Sequence, residues 1–324
     1  MTITAEQLKF RQGKIGASQF GQAIGHGYGS RTRAELFHQI NGNIPTVIET
    51  MAMRVGNFME PFILSEYARH TGRAAEEFPE TQVHPDEPRI ICHCDGITSD
   101  KTRLIEIKNV GHRMMPAWEK GVPEYYWVQG CGQSMLTGIK KVDFAAYFGG
   151  NDLKVFEVEY TDEDHAALYD GLKDFLSYVD RDECPPHIVA DLPNLDKYYE
   201  VDGQTVEAEK DIVAIAHRLA GMKNHLKADK GMKDHMSEWE FVIKEYMGGS
   251  ETLVDNNGEV IWTWKRGKDK EVVDWEMVSK DIWVNIVEDG SRGTHEWAEK
   301  FREVCGRHTT TKQGSRTFLC KIKD

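Results

Sequence analysis

Residues 89–110 read RIICHCDGITSDKTRLIEIKNV, and the fold turns on how this stretch divides into strands. RLIEIKNV (103–110) alternates, so Glu106 and Lys108 project from one face of a strand while Ile105, Ile107 and Asn109 project from the other. RIICHCDGI (89–97) also reads as a strand, and SDKT is a turn that folds the two into a hairpin and brings Asp95 beside Glu106. Adjacent carboxylates repel and ionise together only where a cation neutralises them. The opposite face is apolar, and Leu104 and Ile91 lie on the acid face itself, so the acids are expected to be partly buried. Burial raises the cost of unpaired charge and favours a functional site over a solvated edge strand. Mg²⁺ takes carboxylate oxygens, keeps several waters and leaves room for a phosphate. The chemistry implied is metal-assisted phosphodiester hydrolysis, with Lys108 orienting the attacking water or offsetting charge on the phosphate.

Three further motifs flank this pair. GNFMEP (56–61) holds Glu60 on a stretch where Val55, Phe58, Phe62, Ile63 and Tyr67 recur at helical spacing. PEYYWVQGCGQSMLTG (123–138) sets Gln129 and Gln133 one helical turn apart. RQGKIGAS (11–18) places Arg11 seven residues before Ser18, and Ser18 has the chemistry of a helix N-cap. Taken in this order, the series resembles the YqaJ/lambda-exonuclease branch of the restriction-endonuclease-like PD-(D/E)XK nucleases, over residues 9–185.

The resemblance implies roles residue by residue. Glu60, Asp95 and Glu106 match metal ligands, with the backbone carbonyl of Ile107 as a further one, and Lys108 matches the catalytic lysine. Gln129 matches the glutamine near the attacking water, but the spacing to Met135 runs one residue long and leaves Gln133 as the alternative. Arg11 and Ser18 match groups that hold a 5′-phosphate of DNA. The proline usual before the first acid is Cys94 here, which costs little because that proline is no ligand. His93 shares the Asp95 face by alternation and could support the ligands from behind. Trp118, Tyr125, Tyr126 and Trp127 could stack unpaired bases, although core packing is the expected use of at least two.

The net charge of −13 looks wrong for a protein that binds DNA, until its distribution is read. Ten acids crowd residues 157–183, whereas residues 9–33 carry Lys9, Arg11, Lys14, Arg31 and Arg33 with no acid. The basic stretch surrounds the expected phosphate pocket, and the acidic run reads as a solvated face turned away from DNA. No apolar stretch approaches the ~20 residues of a membrane helix, and MTITAEQLKF lacks the apolar core of a secretory signal. Six scattered cysteines without a CxxC pair read as reduced thiols, not as a zinc or iron–sulfur site.

The expected architecture is α/β: a restriction-endonuclease-like core over residues 1–190, with a mixed central sheet flanked by helices, and a C-terminal accessory region over 191–324. CPPHIVADLPN (184–194) reads as an extended linker. Beyond it, Ile212, Ile215, Leu219, Met222 and Leu226 form a helical stripe, and MSEWEFVIKEYM reads as a second helix. A hairpin is expected to turn at Asn257-Gly258, followed by a helix in THEWAEKFREVCG and a closing strand in SRTFLCKIKD. Lys265, Arg266, Lys268 and Lys270 fit either a DNA contact or a solvated loop.

The resemblance further implies a Mg²⁺-dependent 5′-to-3′ exonuclease that resects linear double-stranded DNA ends to 3′ single strands for phage-type recombination. Two Mg²⁺ per site are implied, with Mn²⁺ able to substitute. So are a homotrimer ring around DNA, a single-strand annealing recombinase as partner, and a place in the cytoplasm of a bacterial host cell. An endonuclease on the same core and an inactive DNA- or partner-binding module are the alternatives.

Overall fold

The computed structural model describes residues 13–28, 31–44, 50–225, 230–282 and 295–322. The chain divides into two compact units, Met1–Asn194 and Leu195–Asp324. No helix among the described residues is long and apolar enough to cross a membrane.

In chain order the first unit runs β1 (Ile15–Gly16), α1 (Ala17–Ala23), α2 (Arg33–Ile40), α3 (Met51–Thr71), β2 (Ala75–Glu77), β3 (Gln82–Val83), β4 (Ile90–Cys92), β5 (Gly96–Thr98) and β6 (Arg103–Val110). A 3₁₀ turn at His112–Trp118 leads to α4 (Glu124–Thr137), β7 (Lys141–Phe148), β8 (Asp152–Glu159) and α5 (Asp162–Arg181). The main sheet has the order β2-β5-β6-β7-β8. Only β6 and β7 pair in parallel within it, and the 3₁₀ turn and α4 supply the crossover that a parallel pair requires. This is the mixed sheet flanked by helices expected from the sequence.

Alternation along β6 and β7 gives the sheet two different faces. Leu104 and Val110, with Val142, Phe144, Ala146 and Phe148, meet Phe20, Val128, Leu168, Leu172 and Phe175 of α1, α4 and α5. Ile105, Ile107 and Ala145 meet Ile63, Leu64 and Tyr67 of α3 on the other side. Val55, Phe58 and Phe62, which recur at helical spacing with Ile63 and Tyr67, are exposed, Phe58 by 83%. The helix buries the narrower arc of Ile63, Leu64 and Tyr67 and leaves its first half outside the core.

The run 89–97 is not one strand. β4 pairs with β1 and β3 in a separate three-stranded sheet, whereas β5 joins the main sheet beside β6. The chain passes between sheets at His93–Asp95. Gly96 permits the crossing, because a Cβ there would stand 2.9 Å from Leu64 Cδ1 and 3.1 Å from the Glu76 carbonyl. The hairpin itself forms as expected, with Ile97 opposite Leu104 and the turn at 99–102.

CPPHIVADLPN is not a free linker either. Asp191 is fully buried, accepts the Thr32 hydroxyl and the Ile188 N–H, and so ties this segment to the start of α2. The acidic helix α5 shows its charged face to solvent but shares it with basic neighbours: Arg33 reaches Asp174 and Arg89 reaches Asp180, each at 2.5 Å. Part of the basic stretch near the N-terminus is therefore engaged by the acidic one.

The second unit contains β9 (Thr205–Glu207), α6 (Lys210–His225), α7 (Lys230–Met247), β10 (Thr252–Val254), β11 (Val260–Arg266), β12 (Lys270–Val273), α8 (Trp275–Ile282), α9 (His295–Arg307), β13 (Thr309–Lys312) and β14 (Arg316–Cys320). Its four-stranded sheet has the order β14-β11-β10-β9, and the β10–β11 hairpin turns at Asp255–Gly258 with Gly258 at φ +80°. Ile212, Ala216, Leu219 and Ala220 form the buried side of α6, whereas Leu226 lies outside the described residues. Arg316 stacks 3.6 Å from the Trp264 ring and donates to the carbonyls of Gly248 and Trp264; burial lowers its pKa to about 10. Lys265, Lys268 and Lys270 are exposed.

One buried charge fastens the main sheet from the α3 side. Asp143 on β7 is fully buried and takes two bonds from Arg103 Nε (2.9 Å each), one from Arg73 Nη1 (2.8 Å) and one from the Tyr67 hydroxyl (2.6 Å). Burial, reinforced by that bond, pushes the Tyr67 phenol up to about 12. Asp143→Ala should cost roughly 2–4 kcal/mol in urea unfolding, somewhat below the loss from a fully buried pair because Arg73 keeps solvent access. A loss under ~1 kcal/mol would show that the arginines hold the strands without it.

Candidate active site

Glu106 is 1% exposed, on the sheet face covered by α4. A carboxylate so placed needs donors, and three side chains supply them. Lys108 Nζ and Gln129 Nε2 (2.6 Å) bond Oε1, and Gln133 Nε2 (2.5 Å) bonds Oε2. Gln133 also donates to the His93 carbonyl at 2.9 Å. The helix comes close enough because its QGCGQ segment carries two glycines. A Cβ on Gly130 would stand 2.5 Å from Phe144 Cζ, and one on Gly132 would stand 2.2 Å from the Phe20 ring.

Asp95 reaches the same place through the break between β4 and β5. Its carboxylate accepts the Ile107 N–H at 2.7 Å, just past the last β5–β6 pair, where the ladder leaves that donor open. Burial first, and then the charge of Glu106, push its pKa well above the ordinary carboxylate range. Lys108 and the Ile107 N–H pull the other way, while Glu60 adds to the upward push. Burial also works against the Lys108 charge, but Glu106 and Asp95 outweigh it and hold the ammonium above the usual lysine value. Its Nζ lies 4.7 Å from the centre of the Tyr126 ring, a contact that the sequence reading assigned to base stacking.

The structure thus brings together Asp95, Glu106, Lys108, Gln129 and Gln133, with Glu60 near enough on α3 for its charge to be felt at Asp95. Glu60, Asp95 and Glu106 do not bring one oxygen each within 4.8 Å of one another. Both glutamines bond the same carboxylate, Gln129 at Oε1 and Gln133 at Oε2. His93 enters by its carbonyl, and its ring faces Thr81 at 3.4 Å, because the strand breaks where alternation would have aimed the ring at the acids. The Ile107 side chain packs on the α3 face. Trp118 and Trp127 belong to the core, against Phe148 and Tyr160 respectively, and Tyr125 packs on Tyr28.

Ser18 is exposed in the first turn of α1, but it is not the cap. Gly16 takes that position, its N–H bonded to Gln19 Oε1 at 3.1 Å. Arg11 lies outside the described residues.

Glu106 and Asp95 face one ammonium, and Glu60 adds a further negative charge felt at Asp95, a crowding of acids that a cation would relieve. Gln133 Oε1 is buried without a hydrogen-bond partner, a further sign that the pocket is built around a polar occupant. An all-oxygen donor set of this kind fits a hard ion such as Mg²⁺.

A mixed sheet with two acids and a lysine at the break of its central hairpin is the arrangement that the sequence led one to expect of a nuclease. Residues 6–140 match the model of the YqaJ-like viral recombinase domain, in line with the resemblance drawn from the motifs. Among solved structures, the chain is similar to an alkaline exonuclease from Laribacter hongkongensis, at 26% identity over 55% of this chain and 94% of that one, with a TM-score of 0.48. The same figures apply to that enzyme in complex with dAMP. A phage-related exonuclease from Haemophilus somnus 129PT follows at 13% identity, 52% and 94% coverage and a TM-score of 0.41. No curated protein matches the chain.

The two glutamines should separate in their effect on folding. Gln133 is fully buried and serves two acceptors, so Gln133→Ala should cost about 1–3 kcal/mol in urea unfolding, the penalty for stranding buried polar groups. Gln129 is partly exposed, so Gln129→Ala should cost less than half of that. Equal losses would mean that the buried bond to the His93 carbonyl contributes nothing.

Proposed function

We propose that the chain is a Mg²⁺-dependent 5′-to-3′ exonuclease that resects linear double-stranded DNA ends to 3′ single strands for phage-type recombination. The observation that carries this reading is the buried Glu106 joined to Lys108, Gln129 and Gln133 beside Asp95, inside a YqaJ-like domain. Asp95 and Glu106 would hold the ion together with Glu60 and, from the resemblance, the Ile107 carbonyl; two ions per site are expected, with Mn²⁺ able to replace Mg²⁺. Held by those residues, a cation would supply polarisation of a phosphoryl oxygen and a lowered pKa for a bound water.

The chain's own residues do the rest. Lys108, kept protonated by its two acids, offers donors to the attacking water or to the charge that grows on the phosphate. Gln129 fixes Oε1 of Glu106 and, from the resemblance, would stand near the attacking water, while Gln133 fixes Oε2. Arg11 and Ser18 would hold the 5′-phosphate of the end. A homotrimer ring around the duplex, a single-strand annealing recombinase as partner, and action in the cytoplasm of a bacterial host complete the reading.

Asp95→Asn and Glu106→Gln should abolish digestion with the circular dichroism spectrum unchanged, since each keeps the size of the side chain and one of its two oxygen acceptors. Lys108→Ala should lose about 10²–10⁴-fold in rate. Excess EDTA should stop the wild type, and persistent digestion by a nuclease-free preparation in EDTA would refute metal dependence.

End recognition gives a separate test. A terminal 5′-phosphate carries nearly two negative charges and an internal diester one, and a guanidinium can pair bidentately with the former. Linear duplex with 5′-phosphates should be digested faster than the 5′-hydroxyl form, and Arg11→Ala should erase most of the difference. Ready cutting of covalently closed circles would establish the endonuclease reading, and no cutting of any DNA would establish the binding module. Processive digestion and a trimer by light scattering are expected together.

A further inference from the structure

A second cluster in the first unit, on α2 and the segment after α5, carries donors for a different kind of metal. Cys184 Sγ lies 3.6 Å from His38 Nε2 and 3.4 Å from His187 Nε2. These residues form the one trio of His, Cys, Asp or Glu side chains among the described residues whose donor atoms all lie within 4.8 Å of one another. With Zn–S near 2.3 Å and Zn–N near 2.05 Å, a tetrahedral ion sets the sulfur-to-nitrogen edge at about 3.6 Å. Both distances fall at that edge before any adjustment of the side chains.

The surroundings have the features of a ligand set. Both imidazoles turn the same nitrogen, Nε2, toward the sulfur. The other nitrogen of His38 stands 3.2 Å from the Asn43 side-chain amide, the outward hydrogen bond that orients a ligating histidine. Asp191 is fully buried in the same segment, and its negative charge is felt at His38. One thiolate and one buried carboxylate would together offset the two charges of the ion. Cys184 and His187 are partly exposed, so solvent can supply a fourth ligand. A thiolate with two imidazoles selects a borderline ion of the zinc class over Mg²⁺, which prefers oxygen.

We propose that His38, Cys184 and His187 bind one Zn²⁺, with water in the fourth position, and that this ion staples the chain after α5 to α2. Binding releases the thiol proton of Cys184 to solvent and forms one Zn–S and two Zn–N bonds. The staple closes a loop of 146 residues around the nuclease core, by joining positions that Asp191 and Thr32 already hold together. The spacing Cys184-x-x-His187 was visible in the sequence, but its distant partner His38 was not.

Full-length protein dialysed against Mg²⁺ buffer without chelator should retain one equivalent of zinc per chain by mass spectrometry. Replacing it with Co²⁺ should give a thiolate-to-cobalt charge-transfer band and the intense visible bands of a tetrahedral ion. Cys184→Ser should remove the charge-transfer band, and Asp95→Asn should leave it intact, which separates this site from the acidic one. His187→Gln should weaken zinc binding by at least roughly 10–100-fold, the loss that follows when only an outer partner of a ligand is changed. Should Cys184→Ser fail to fold, the wild-type cobalt spectrum and His187→Gln decide. Substoichiometric zinc with no charge-transfer band in the wild type would overturn the proposal, as would a band that survives Cys184→Ser and disappears in Asp95→Asn. None of these readouts depends on nuclease activity.

Discussion

A carboxylate set inside a hydrophobic sheet face is costly unless its oxygens are fully bonded, and Glu106 imposes that cost on everything around it. The solution dictates local architecture. Two glutamines one turn apart must reach one carboxylate, so α4 must lie close over β6 and β7, and Gly130 and Gly132 are the positions that make the approach possible. Gln133 then binds the His93 carbonyl and so pins the segment that delivers Asp95. The site is assembled by a chain of bonds that starts from one buried acid, which is why its members come from β6, α4 and the crossing between two sheets.

The same sheet holds a second buried acid, and the contrast shows which is structural. Asp143 is met by two guanidinium groups and a phenol, with Glu157 closing the network from outside, so its charge is neutralised on the spot. Glu106 is met by one ammonium and two neutral amides, while Asp95 and Glu60 add more negative charge nearby. Asp143 is complete as it stands. The Glu106 cluster crowds acids around one ammonium, and on the proposed reading a cation would relieve that crowding.

What could be read from the sequence was what local periodicity encodes. RLIEIKNV forms the expected strand, SDKT the expected turn, and the helix of Gln129 and Gln133 the expected pairing, because each is decided within a few residues. RIICHCDGI misled because a continuous apolar run reads alike whether it stays in one sheet or crosses between two; the crossing depends on Leu64 and Glu76, which are distant in sequence. CPPHIVADLPN has the composition of a linker, yet a single long-range bond from Asp191 to Thr32 anchors it. Ser18 has better capping chemistry than Gly16, but the helix starts two residues earlier than a Ser18 cap would set it, where Gln19 reaches back to the Gly16 N–H. The exposed Phe58 shows the converse limit: helical spacing gives the face and not which part of it finds a neighbour.

The net charge of −13 also takes its meaning from position. Arg33 and Arg89 are held by Asp174 and Asp180 on α5, and Arg73 and Arg103 by Asp143 and Glu157. These four arginines are therefore committed to acids of the protein, the α5 pairs by exposed bridges that contribute little to stability and weaken with salt. On the proposed reading, these four would add little to the attraction for a DNA end. Groups at the site would supply part of it: Lys108, the cation that the acids would hold, and the basic residues before α1. A preference for ends would then follow from concentrating at the site the charge that meets a terminal phosphate, rather than from the arginines that the acids of the protein already hold.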